Sequence, residues 1–199
     1  MCTGKCSKLI GALLFPTAVL CIIANLFLFF PNFDTKYIQD PAKITPEVLY
    51  MGGILGSGAL VLISASHIYA TGSSGCCNNR CGMFLSVLLS GLGVVGSGYC
   101  FAVSVVGLVK GPTCVYNGQW IRPFNVSLAE FSGRSYLFQP ELWGRCVEPR
   151  DVVLFNTTLF LTLSCLSSLQ FLLCLIQMVN GLCGCVCGTC RQSRNVIVA

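Results

Sequence analysis

Residues 152–190 read VVLFNTTLFLTLSCLSSLQFLLCLIQMVNGLCGCVCGTC, with no Asp, Glu, Lys or Arg in the run. A helix needs roughly 20 predominantly apolar residues to cross a bilayer. This stretch supplies them with room to spare. Three more intervals are equally free of charge, Leu9 to Phe33, Val48 to Asn79 and Cys81 to Val109. We place helices at 9–30, 48–70, 83–109 and 152–179. Pro31-Asn32 closes the first, Thr45-Pro46 precedes the second and Gly111-Pro112 follows the third. The composition agrees, with 54% hydrophobic and 10% charged residues and a mean hydropathy of +0.77. A soluble globule could not cover such an apolar surplus, and a transmembrane barrel would show short alternating segments instead. The net charge of +5 comes from Lys and Arg scattered between the apolar runs, which excludes a nucleic-acid-binding face. Lys5 and Lys8 resemble the start of a signal peptide, but the apolar run that follows is too long and no small-x-small cleavage site follows it, so it reads as a retained span.

Four spans force parity. Segments 1–8, 71–82 and 180–199 share one side of the membrane, and loops 31–47 and 110–151 share the other. The termini side carries Lys5, Lys8, Arg80, Arg191 and Arg194, and the remaining basic residues lie opposite with every Asp and Glu. The basic count therefore does not orient the chain. Cysteines and sequons do. Cys2, Cys6, Cys76, Cys77, Cys81, Cys183, Cys185, Cys187 and Cys190 crowd the termini side next to membrane ends, as cytosolic palmitoylation sites do. Cys114 and Cys146 stand as a pair in the large loop, the pattern of a disulfide on the lumenal face. The sequon Asn125-Val126-Ser127 lies in the same loop, and Asn156-Thr157-Thr158 opens the fourth helix; sugar is added only on that side. The three signals put both termini in the cytosol and the large loop outside. Cys187-x-x-Cys190 also has zinc-ligand spacing, but the run has no His, so acylation is the better reading beside zinc and plain packing. Cys21, Cys100, Cys165 and Cys174 sit inside helices as small apolar residues.

The large loop holds Trp120 and Trp143 with Tyr116, Phe124, Phe131, Tyr136 and Phe138. So short a segment cannot build a core unaided. A Cys114–Cys146 bond closing a loop of about thirty residues would contribute on the order of 3–4 kcal/mol. The aromatics then form a cap on the helix ends, serving either as headgroup-level anchors or as a partner-binding face. The 31–47 loop is expected to pack beneath it. Within the membrane, Gly52 and Gly56 make a small-xxx-small step, answered by Gly91, Gly93, Gly96 and Gly98 on the third helix. Such faces bring backbones into contact, chiefly within one bundle and alternatively between chains as a homo- or hetero-oligomer. Asn25, Gln170 and Gln177 are intramembrane amides expected to hydrogen-bond neighbouring helices. No ionisable carboxylate, amine or guanidinium falls in any predicted span, whereas ion-coupled carriers and voltage sensors keep such groups there. No phosphate loop, zinc-hydrolase box or nucleophile elbow occurs, so no enzyme, metal or cofactor is expected.

Distinctive motifs run in order over nearly the whole chain: Met1-Cys2-Thr3-Gly4-Lys5-Cys6, Ile23-Ala24-Asn25-Leu26, Phe30-Pro31-Asn32, Gly52-Gly53, Gly96-Ser97-Gly98-Tyr99-Cys100, Gly111-Pro112-x-Cys114, Leu142-Trp143-x-x-Cys146-x-Glu148-Pro149, Asn156-x-Thr158-Leu159-Phe160 and Cys174-x-Ile176-Gln177-x-Val179-Asn180-Gly181. Together they resemble the L-six antigen family of four-span, tetraspanin-like membrane proteins. Phe155 stands where relatives often have Trp, and the 76–81 cysteine cluster is abbreviated. True tetraspanins carry a Cys-Cys-Gly motif and at least four cysteines in the large loop; this loop has neither, so their partner rules transfer poorly. The resemblance implies a cell-surface glycoprotein of the plasma membrane with cytosolic termini, associating with integrins, receptors or transporters in adhesion, motility or growth control. The expected fold is all-α, a four-transmembrane-helix bundle with a disulfide-stapled large extracellular loop between helices 3 and 4. The expected function is a non-enzymatic scaffold embedded in the lipid bilayer. The alternative is a regulatory or pore-forming subunit of a transporter or channel.

Overall fold

A computed structural model of the chain describes residues 3–31, 34, 36–37, 40, 43–72, 80–124 and 135–187, with Thr3, Arg80 and Cys187 described by backbone alone. The chain folds as a four-helix membrane bundle. Helix α1 runs Thr3–Leu28. The second span is built of three pieces in line: α2 Pro46–Leu49, a π-helical segment Gly52–Leu60 and α3 Val61–Gly72. Helix α4 is Arg80–Lys110 and α5 is Val152–Cys187. The stretches Gly4–Leu28, Pro46–Gly72, Cys81–Lys110 and Val152–Val186 are each long and apolar enough to cross a bilayer.

The helices overrun the spans read from the sequence on the termini side. α1 begins at Thr3, before position 9, and α5 continues to Cys187, beyond position 179. Loss of hydrophobicity ends a span without ending a helix, because Ser, Cys and Gly cost no more than about 1 kcal/mol each in helical backbone. Cys183 and Cys185 therefore lie on α5 itself, where we expected them directly after a helix. At the other end α1 stops early. The Phe29 and Phe30 amides donate to the Leu26 and Phe27 carbonyls at 3.1 and 2.9 Å, a tightened turn before Pro31, whose ring disfavours helical backbone in the residue ahead of it.

α1 packs against α3 and α5, and α4 against α5 and the π segment. One core layer joins Cys21, Leu28, Val48, Cys100, Phe160 and Leu163; a second, nearer the termini, joins Ile10, Leu14, Val61, Ile68 and Cys174. Met51 adopts φ 50° and ψ 34° and breaks the second span, and the π winding follows. In that segment the backbone meets its neighbours directly. A Cβ on Gly56 would lie 2.5 Å from the Gly96 carbonyl oxygen, and one on Gly96 would lie 2.6 Å from that of Gly56. Gly52 faces the Cys100 Cα at 3.3 Å and Gly93 faces the Cys174 sulfur at 2.7 Å, counted from the same hypothetical Cβ. Gly98 looks loosely onto Phe171 at 3.7 Å. A Cβ on Gly91 would meet nothing within 4 Å, so its Cβ direction faces open space. Two residues before Gly93, it is turned about 200° around the helix.

The amides cross-link helices. The Ile54 amide donates to Asn25 Oδ1 at 3.1 Å, so a side chain of α1 serves the backbone of the π segment. Gln170 Nε2 on α5 donates to Thr17 Oγ1 on α1 and to the Ser57 carbonyl, both at 3.2 Å. Gln177 Nε2 donates to Ser7 Oγ at 3.0 Å and Ser86 Oγ at 3.1 Å, tying α5 to α1 and α4. Ser64 Oγ donates to the Leu89 carbonyl at 2.6 Å. Polar groups in hydrocarbon find partners on other helices because lipid offers none.

Candidate functional site

At the end opposite the termini the loops build a cap. Strand β1, Cys114–Tyr116, pairs antiparallel with β2, Gln119–Ile121, with Val115 opposite Trp120. Asn117 and Gly118 turn the hairpin with φ of 50° and 78°, the left-handed pair that suits a two-residue turn between twisted strands. On its other edge Val115 exchanges hydrogen bonds with the 147–148 backbone, donating to the Glu148 carbonyl at 2.8 Å and accepting from the Val147 amide at 3.1 Å. Next to these strands Cys114 and Cys146 form the disulfide, with Cα atoms 5.5 Å apart and a sequence separation of 32.

The cap has its own core. Cys114, Phe124, Tyr136, Val152 and Val153 are buried together, with Leu142 and Trp143 against them. The Phe124 and Tyr136 rings stack at 4.6 Å. Tyr136 donates its hydroxyl to the Leu108 carbonyl at 2.7 Å, and the Trp143 indole donates to the Tyr136 carbonyl at 2.9 Å. Burial pushes the Tyr136 phenol up to about 12, against smaller opposing effects of Thr157 and Arg122.

Polar contacts fasten the cap to the bundle and to the small loop. Glu47, in the first turn of α2, is buried at 3% exposure. Arg122 grips both its carboxylate oxygens, Nη1 to Oε1 at 3.2 Å and Nη2 to Oε2 in close contact. Lys110 Nζ at the end of α4 stands 4.0 Å from Oε1. The Thr113 amide donates to Thr45 Oγ1 at 3.3 Å. Lys36 Nζ donates to Glu148 Oε1 at 2.8 Å, and the Tyr37 hydroxyl donates to the same oxygen at 3.1 Å. The Lys36 hydrogen bond, then that of Tyr37, holds the Glu148 carboxyl below its ordinary range, and the same contact raises Lys36. Tyr37 packs edge-on to Trp120 at 5.9 Å, with Lys43 Nζ 5.8 Å from the indole. The small loop is thus a structural partner of the hairpin. The cap leaves apolar side chains outside: Val147 is 72%, Phe138 66% and Ile121 40% exposed.

Asn125 lies outside the described residues. Asn156 is among the described residues. It sits on α5 at 4% exposure, and its Oδ1 has no partner among the described residues. Helical periodicity turns it inward in the folded bundle. On the termini side Cys6, Cys81, Cys183 and Cys185 form no disulfide, and Cys81 and Cys183 are exposed. Cys2, Cys76, Cys77 and Cys190 lie outside the described residues, as does the side chain of Cys187. Among the described residues no three His, Cys, Asp or Glu side chains converge as a metal site. The Glu47–Arg122–Lys110 cluster went unread in the sequence. Its signal was a lone acid after Pro46 at the edge of an apolar run, and the hairpin had its own in the Asn117-Gly118 dipeptide.

The family described as L6 membrane protein matches residues 1–191. Transmembrane 4 L6 family member 5 of Bos taurus is 42% identical over 199 residues, spanning 98% of each chain. Member 4 of Mus musculus is 42% identical, over 96% of this chain and 95% of its own. Member 1 of Homo sapiens is 40% identical over 96% of each. No solved structure matches. With four apolar helices and a disulfide between the third and fourth, this chain belongs to the transmembrane 4 L6 family.

Proposed function

We propose that this protein is a non-enzymatic lateral scaffold of the plasma membrane, with both termini cytosolic. It associates with surface proteins such as integrins, receptors or transporters and so influences adhesion, motility or growth. One observation carries this reading. The cap is closed by the Cys114–Cys146 bond and fixed to the bundle by the Arg122–Glu47 pair and the Tyr136 hydroxyl, yet it holds Val147, Phe138 and Ile121 outward. Apolar side chains on a preorganised surface bind a partner with little ordering cost. The termini-side cysteines support acylation, and Asn125 supports one glycan on the cap side. That sidedness supports cytosolic termini.

Proximity labelling in intact cells, with the parent and with a Val147→Ser, Phe138→Ser variant, tests the reading. The expected result is a set of ectodomain-bearing neighbours that is lost in the variant at unchanged surface level. An unchanged set sinks the cap as the contact face. Substrate-dependent flux by the purified protein in proteoliposomes would overturn the scaffold in favour of a transporter or channel subunit. Palmitate incorporation should fall when Cys6, Cys81, Cys183 and Cys185 are replaced. A gel shift on deglycosylation should vanish in Asn125→Gln and persist in Asn156→Gln.

A further inference from the structure

Arg150 is the last basic residue before α5 enters the membrane, one residue short of the Asp151–Val152 junction. It is exposed and forms no ion pair with any described residue. Three cavities reach it, and two of them form the candidate site. Below, a groove of about 330 Å³ runs from Arg150 and Asp151 down α5 past Leu154, Phe155, Thr158 and Leu159. Its floor is mostly carbon, and Leu154 is 53% exposed along it. From Asp151 to Leu159 the groove descends roughly 12 Å at 1.5 Å per residue. Above, a cavity of about 310 Å³ is lined by Asp34, Lys36, Tyr37, Val147, Glu148 and Arg150. Its two carboxylates and two cations balance. Lys36 is already committed, at 2.8 Å to Glu148 and 3.6 Å to Asp34, which leaves Arg150 as the cation without a counter-ion among the described residues.

We propose that Arg150 and these two cavities form a binding site for one zwitterionic phospholipid of the leaflet on the cap side. The guanidinium takes the phosphate in the forked geometry that suits it. One acyl chain lies in the Leu154–Leu159 groove. The ammonium end of the headgroup rises toward Asp34 and Glu148. The neutral charge balance of the upper cavity selects a zwitterion over an anionic headgroup, since an extra negative charge would face two carboxylates. An apolar cleft with a few convergent polar groups is the usual form of a small-molecule site. Its depth follows from α5 crossing the bilayer, whatever proteins the molecule associates with.

Native mass spectrometry of the full chain, released from nanodiscs of defined lipid, tests the site. The parent is compared in phosphatidylcholine, phosphatidylethanolamine, phosphatidylglycerol and phosphatidylserine. Arg150→Ala removes the phosphate contact, Leu154→Trp fills the groove, and Arg145→Ala removes an exposed cation elsewhere on the cap. The expected result is one retained choline or ethanolamine lipid on the parent. Retention should fall about tenfold in both site variants, as loss of a charge-assisted contact or of the groove predicts. Arg145→Ala should match the parent. Equal retention of all four lipids, preference for phosphatidylglycerol, or an Arg150→Ala adduct as strong as the parent's overturns the proposal. If Arg150→Ala does not fold, Leu154→Trp and the headgroup preference of the parent decide it.

Discussion

At the scale of single residues, Glu47 stands out as a carboxylate sealed at the mouth of the bundle. A buried charge is tolerable only with a partner, and removing that partner leaves it uncompensated, a loss on the order of 3 kcal/mol or more. Arg122 is that partner on the cap, with Lys110 only in support at 4.0 Å. Arg122→Ala should therefore destabilise the protein by about 3 kcal/mol in a thermal melt in detergent. Glu47→Gln added to it should restore much of the loss, because no orphaned charge remains. Glu148 gives a pH dependence with a definite sign. Its folded pKa is depressed by Lys36 and Tyr37, so its contribution is full above the ordinary glutamate value of about 4.3. That contribution is lost as pH falls through the lower folded value. Trp120, which packs on Tyr37, should report this as a fluorescence change confined to that acid range and absent in Glu148→Gln. A change centred above pH 5 in the parent would contradict it.

At the scale of elements, the second span is where sequence and structure part company. Its glycines were legible as a close-approach face, and Gly56 does meet Gly96 backbone to backbone. The π winding was not legible, because the same glycines satisfy an ordinary helix equally well. The π winding goes with Met51 in a left-handed conformation at its N-cap and with Asn25 reaching across from α1 to the Ile54 amide, and the second of these is not local to the segment. Nor could spacing sort the third-helix glycines by face without the neighbours in place. Replacing Gly56 or Gly96 with Leu should wedge the two spans apart and cost about 1–3 kcal/mol. Gly91→Leu, into open space, should be near neutral. Denaturation of the three variants in mild detergent checks this ordering, and equal losses would sink the assignment of the contact face.

At the scale of the whole molecule, the cap is closed on itself at Cys114 and Cys146 and clamped to the bundle at Glu47. Cys146→Ser should cost on the order of 3–4 kcal/mol by the chain-entropy estimate for a loop of this length. Retention of the variant in the early secretory pathway, or protease cleavage within 110–151, should reveal it; surface delivery at parent level with a protease-resistant cap would contradict it. By itself the sequence determined that this chain spans a membrane four times with a cysteine-paired loop between the last two helices. Apolar run length and charge position decide that, and both are local properties read straight along the chain. Only the tertiary structure decided that Asn156 turns inward, that Gly91 faces away, that the small loop holds the hairpin, and that a lone glutamate anchors the cap. Each of these depends on which face of a helix meets which distant neighbour, and that is fixed when the helices pack, not when they form.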